Sequence, residues 1–127
     1  MTSLPLSQEL WKLGLKINTE KRYYDVLFPN GSRKIFLSGG NRIEGCPNDF
    51  VSFEAYPTYS TDELLEVLPD RIEIERYNFN FYVYIPEYKH REKDIDLSEA
   101  LGLMAKYLLE HGYTYDSEKK GIRKESK

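Results

Sequence analysis

The chain has 127 residues, 40% hydrophobic and 31% charged, which fits one globular domain with an ordinary core. Its formal net charge of −3 argues against a general phosphate-backbone binder, since such proteins depend on a surplus of Lys and Arg. The longest apolar run, Phe81 to Ile85, falls far short of the roughly 20 residues of a membrane-spanning helix, and one cysteine, Cys46, excludes an internal disulfide framework.

The aromatic share is high, with eleven Tyr and six Phe. Tyrosine buries a ring while its hydroxyl stays wet, so the excess points to a half-buried sheet, a contact surface or both. Charge is unevenly placed. Residues 62 to 75 hold six acidic side chains against Arg71, an acidic patch, while residues 118 to 127 hold five basic and two acidic side chains. The polar segment from 116 to 127 reads as a disordered basic tail outside a single domain spanning 1 to 115. The N-terminal residues MTSLPLSQELWKLG lack a basic start, an apolar block and a small-residue cleavage site. With a lone cysteine, cytoplasmic residence is the expectation.

In chain order, the first helix is expected over Leu4 to Leu13. Ser3 can cap it, Pro5 suits the first turn, Leu6, Leu10, Trp11 and Leu13 make an apolar face, and Gly14 suits the left-handed stop. Arg22 to Phe28 and Ser32 to Leu37 read as strands joined by Pro29-Asn30-Gly31. Residues 38 to 49, SGGNRIEGCPND, read as an irregular loop of a length more often functional or mobile than that of short connections. Phe50 to Tyr56 reads as a third strand, with Val51, Phe53 and Ala55 on one face and Pro57 as its end. Ser60 and Glu63 have the spacing of a capping box, opening a helix from Thr61 to Leu68 that Pro69 closes.

Residues 71 to 85, RIEIERYNFNFYVYI, alternate with a period of two. Ile72 and Ile74 alternate with Glu73 and Glu75. After a break at Arg76 to Asn78, the residues Phe79, Phe81, Val83 and Ile85 alternate with Asn80, Tyr82 and Tyr84. This is the pattern of an antiparallel hairpin with Phe79, Phe81, Val83 and Ile85 turned to the core. A charged connection, Tyr88-Lys89-His90-Arg91, then leads to a helix from Leu97 to Glu110. Leu97, Leu101, Met104 and Leu108 form its apolar stripe, Asp96 and Glu99 repeat the capping-box spacing, and His111-Gly112-Tyr113 supplies the stop. The expected fold class is α+β: a mostly antiparallel sheet of about five strands with two to three helices packed on one face.

Three of these signals, taken in order, resemble a family. An N-terminal S-L-x-L-x-x-x-L-x-x-L-G helix, the segment AYPTYSTDELLEVLPD at residues 55 to 70 and LSEALGLMAKYLLEHGY at 97 to 113 are similar to small uncharacterised proteins of tailed phages and prophage-like elements. The middle motif of that family reads A-P-T-L-x-E-L-L-x-W-L-P. The likeness spans most of residues 3 to 113 and departs from the pattern at Tyr59, where an aliphatic residue is usual, and at Val67, where tryptophan is common. It implies a phage-type accessory protein of a bacterial host cell and carries over no catalytic residue.

Chemistry-bearing residues make no known constellation. His90 and His111 belong to no H-x-x-x-H or C-x-x-C spacing, and His111 sits where a helix dipole favours a cation. Cys46 has no base near it in sequence. Asn41, Glu44, Asn48 and Asp49 miss the register of a calcium loop, and Gly39, Gly40 and Gly45 miss both phosphate-binding patterns. Glu73 and Glu75 lie roughly 7 Å apart by strand rise, but their alternation with isoleucine marks a solvated face. No enzyme, cofactor or metal is therefore expected. The expected function is binding of a host or phage protein through the aromatic sheet face or the acidic patch, with Tyr82, Tyr84, Asn80, Glu73 and Glu75 as contacts. An uncapped sheet edge also allows a homodimer. Two alternatives stay open: a nucleic-acid module using Lys21, Arg22, Arg33, Lys34 and the basic tail, or a small enzyme with a site near Cys46.

Overall fold

In the computed structural model, which describes residues 1–39 and 43–124, helix α3 (Leu97–Glu110) is the element around which the main core forms. Its bounds are those expected from the apolar stripe, and Leu101, Met104, Ala105 and Leu108 are fully buried. Asp96 caps it, accepting from the backbone N–H groups of Ser98 and Glu99. The expected reciprocal half of the box is absent. The Glu99 carboxylate accepts instead from the backbone N–H of Ser3 at 2.7 Å, tying the start of the chain to α3. Burial works against the charge on Asp96. The hydrogen bonds from Ser98 and the Glu99 backbone, with the nearby Met1 amino group, outweigh it and hold its carboxyl below the ordinary aspartate value.

Helix α1 (Leu4–Lys12) is capped by Ser3, and Gly14 closes it at φ +100°, a conformation that suits glycine. The helix approaches α3 at Gly102, where a Cβ would lie 2.8 Å from both Leu6 Cδ2 and Thr2 Cγ2. Thr2 is fully buried. Its N–H donates to the Tyr59 carbonyl, its hydroxyl accepts from the Tyr59 N–H, and its carbonyl accepts from the Tyr23 hydroxyl at 3.1 Å. The Tyr59 ring is buried just ahead of helix α2 (Thr61–Val67), with its hydroxyl donating to the Leu15 carbonyl at 2.7 Å. The expected capping box of α2 is complete, with Ser60 and Glu63 exchanging both bonds.

The expected single five-stranded sheet is replaced, among the described residues, by eight strands in three small antiparallel sheets. The first holds β1 (Lys21–Leu27), β2 (Arg33–Ser38) and β3 (Ser52–Thr58) in the order β2-β1-β3. The second holds β4 (Glu73–Tyr77), β5 (Asn80–Ile85) and β6 (His90–Asp94) in the order β4-β5-β6. The third is the hairpin of β7 (Tyr113–Asp116) and β8 (Gly121–Lys124). The helices do not share one sheet face. Helix α3 packs against β5, β6, β7 and β8, whereas α1 lies along β3.

Each difference has a local cause. Pro57 does not end β3, because β3 is an edge strand and can carry a residue without an N–H. Strand β6, HREKD, has no apolar residue to signal it, and Lys89 at φ +50° reverses the chain into it after a single 3-10 turn, Pro86–Tyr88. Residues 116 to 124 of the expected disordered tail fold back through β8, with Ile122 buried in the core as the anchor. Residues 125 to 127 of that tail lie outside the described residues.

Two measurements check this packing. Tyr59→Phe strands the buried Leu15 carbonyl and should cost about 1–2 kcal/mol by urea unfolding. Asp96→Ala should cost about 1 kcal/mol at neutral pH through the lost cap. Because the Asp96 carboxyl is depressed in the folded chain, its stabilisation is present above the ordinary aspartate value and is lost as pH falls through the lowered one. The variant should therefore show a flatter acid limb in its stability-pH curve than the parent chain.

Candidate functional site

The β4-β5 hairpin turns on Asn78 and Phe79, which take φ of 51° and 65° between the paired residues Tyr77 and Asn80. A two-residue turn with both centres left-handed is the type I′ geometry, which favours Asn followed by Gly. Asn78 fits. Phe79 is a bulky side chain in a conformation that few such residues adopt, and it is 81% exposed. This corrects the expectation that Phe79 faces the core. With the turn at Asn78-Phe79 and β4 continuing through Tyr77, Phe79 leaves the strand alternation altogether. Val83 and Ile85 are buried as expected, and Phe81 is half-buried.

On the outer face of this sheet, the register builds three rows. Glu73 stands opposite Tyr84, with Arg91 on the far side, and Glu75 stands opposite Tyr82, with Lys93 beyond. Tyr77 stands opposite Asn80 at the turn end. An acidic row on β4, an aromatic row on β5 and a basic row on β6 therefore run side by side. The Arg91 guanidinium lies 5.8 Å and 5.6 Å from the ring centroids of Tyr82 and Tyr84, a cation–π bracket that steadies both rings. Tyr82, Tyr84, Asn80, Glu73 and Glu75 thus share one face. The sequence reading missed Arg91, Lys93 and Tyr77. The alternation of Arg91 and Lys93 with His90, Glu92 and Asp94 was the available signal for the first two.

Strand β4 is exposed along its whole length, with Ile74 41% and Tyr77 64% accessible. It lies at the sheet edge, and no strand among the described residues pairs with its outer side. A two-residue turn makes Tyr77 and Asn80 a hydrogen-bonded pair, and antiparallel alternation then directs the backbone N–H and C=O of Ile74 and Arg76 away from β5. Glu73 and Glu75 make no ion pair with any described residue.

The other candidates fall in two places, the two histidines at Tyr107 and Cys46 over the first sheet. His90 stacks on Tyr107 at 3.4 Å between centroids and pairs with Glu92 at 2.6 Å. His111 stacks on the same Tyr107 at 4.0 Å and meets its backbone carbonyl, beside the end of α3. Cys46 lies in the loop over the first sheet, where Sγ donates to the Pro47 carbonyl at 3.3 Å. It lines a cavity of about 770 Å³ with Arg22, Glu44 and Asn48, and no histidine lines that cavity among the described residues. Asn41 lies outside the described residues. No group of three or more His, Cys, Asp or Glu among the described residues is placed to hold a metal ion.

The four basic residues considered for nucleic acid do not form one surface. Strand alternation puts Arg22 and Lys34 on one face of the first sheet and Lys21 and Arg33 on the other, where Arg33 pairs with Asp25 at 3.3 Å. Arg123 and Lys124 sit on β8, which packs on α2 and α3. No helix among the described residues is long and apolar enough to cross a membrane. No family model matches the chain, and neither a curated protein nor a solved structure matches it.

The two ends of the hairpin should respond oppositely to substitution. Ile85→Ala should cost about 2–5 kcal/mol, as expected for a buried aliphatic side chain. Phe79→Gly should leave the unfolding free energy unchanged or raise it by up to about 1 kcal/mol, because relief of the left-handed conformation offsets the added freedom of the unfolded chain. Urea titrations of both variants measure the contrast.

Proposed function

We propose that this chain is a small non-enzymatic accessory protein of phage or prophage type that binds a protein partner through the β4-β5 hairpin. The observation that carries the reading is Phe79: a large apolar side chain, 81% exposed, held in a left-handed turn position that favours glycine. Departures from local rules of this kind concentrate at functional positions. Around it lie the exposed Tyr77, the Tyr82 and Tyr84 row and the free edge of β4. Aromatic anchors beside an open strand edge suit a partner that adds an extended segment to the sheet.

Charge favours a different protein over a second copy. Antiparallel pairing of β4 with itself, centred on Ile74, Glu75 or Arg76, sets Glu73 against Glu75, Glu75 against Glu75, or Arg76 against Arg76. Like charges directly opposite destabilise such a pair. A strand with basic residues at alternate positions meets Glu73 and Glu75 with opposite charge on every second residue. The resemblance to phage-type proteins supplies the setting, a bacterial host cytoplasm.

Affinity capture from a bacterial host lysate, read by mass spectrometry, tests this. The parent chain should retain a specific protein that Phe79→Gly and the Tyr82→Ala, Tyr84→Ala double variant lose, with melting temperatures showing each variant folded. Ile74→Pro, which removes an outward N–H at the edge, should lose it too. Equal recovery by all the folded variants contradicts the proposal.

A further inference from the structure

We infer that the cavity on the β1-β2-β3 sheet is a binding site for a flat organic anion of the aromatic-carboxylate class, separate from the hairpin surface. The alternation that makes β1 puts Arg22 and Tyr24 on one face, and the register sets Ala55 opposite Tyr24 on β3. The loop after β2 returns over that face and contributes Cys46, Glu44, Asn48 and Phe50. Together they border a half-open cavity of about 770 Å³, within the usual range for a small-molecule site.

The walls define the ligand. Phe53 meets Tyr24 edge-to-face at 5.5 Å and Phe50 at 5.8 Å, so the apolar side is a set of ring edges and faces suited to a planar body. At the other end stands Arg22, whose guanidinium donates to Asn18 Oδ1 at 2.6 Å and makes no ion pair with any described residue. Its remaining donors match the fork of a carboxylate. Two smaller hollows also border on Arg22, one of about 320 Å³ with Trp11 and Lys16 and one of about 210 Å³ with Asn18 and Ser38, so solvent and ligand reach it from several sides. Lys16 lies 3.8 Å over the Trp11 ring and adds positive charge to this end. Glu44 and Asn48, on the loop side, can accept from an N–H on the ligand.

Fluorescence titration with 8-anilinonaphthalene-1-sulfonate, an anion with a planar body and one N–H, is the test. The parent chain should bind the probe at one site, and benzoate should displace it while uncharged benzyl alcohol at the same concentration does not. Arg22→Gln should weaken binding at least tenfold, Arg22→Lys should restore part of it, and Ala55→Phe, which fills the cavity, should abolish it. Lys119→Gln, which removes one positive charge in the turn between β7 and β8, should change nothing. Circular dichroism establishes that each variant is folded, and if Arg22→Gln does not fold, Ala55→Phe and the benzoate competition decide. No binding by the parent chain, equal displacement by benzyl alcohol, or undiminished binding in a folded Arg22→Gln or Ala55→Phe overturns the inference.

Discussion

The buried bond from the Tyr59 hydroxyl to the Leu15 carbonyl, with the Thr2 backbone clasped to that of Tyr59, is the junction on which the rest of the structure depends. It joins the chain after α1 to the point where β3 becomes α2, and the Tyr23 hydroxyl docks β1 onto the same node. Burial, with a smaller effect from Glu63, pushes the Tyr59 phenol well above its ordinary value, which favours the neutral hydroxyl that donates to Leu15. A polar group placed so deep stabilises the fold only because its partners are fixed, and here they flank α1, with Thr2 before it and Leu15 after it. The close approach of α1 to α3 at Gly102 follows from the same convergence, since Thr2 and Leu6 occupy the space where a side chain would be.

With α3 committed to that core, it packs against β5 and β6 of the second sheet, and β4 projects with both faces accessible. The division of labour follows. Val83 and Ile85 fasten the hairpin from beneath, Arg91 braces the outer tyrosines, and the strand beyond them carries an unpaired edge and two exposed aromatics, Tyr77 and Phe79. Exposed edges invite unwanted pairing, and Glu73 and Glu75 set acidic charge along this one. The first sheet is set apart from the main core: Tyr24 and Val26 are buried on its own face, with Phe53 and Phe50 packed edge-to-face alongside and a cavity between sheet and loop.

Helix α3 and the capping box of α2 were legible because a sustained 3.6-residue stripe and a two-bond cap are properties of short, contiguous sequence. Pairing among strands was not. HREKD at β6 has no apolar residue, Ile122 is one apolar position in a basic run, and Asn78-Phe79 replaces the Asn-Gly that marks a tight turn. The outer face of the second sheet was legible in its Tyr and Glu rows, because alternation alone assigns them, but its basic row and its tip depended on the register and the turn. Arg22 and Cys46 both stood out as residues, under different readings. Nothing local brings positions 22 and 46 to one cavity, since that requires the loop to return over a face set by the register of β1 against β3.

Amide hydrogen exchange of the isolated chain, followed residue by residue by NMR, tests the central claim most directly. If β4 is an open edge on an otherwise anchored sheet, the amides of Ile74 and Arg76 should exchange nearly as fast as in an unstructured peptide. Those of Tyr82 and Tyr84 should be protected, and those of Tyr59 and the Leu101 to Leu108 stretch should be slowest of all. Protection at Ile74 and Arg76 equal to that at Tyr82 would mean that the edge is already covered, and the account of the hairpin as a docking strand would be wrong.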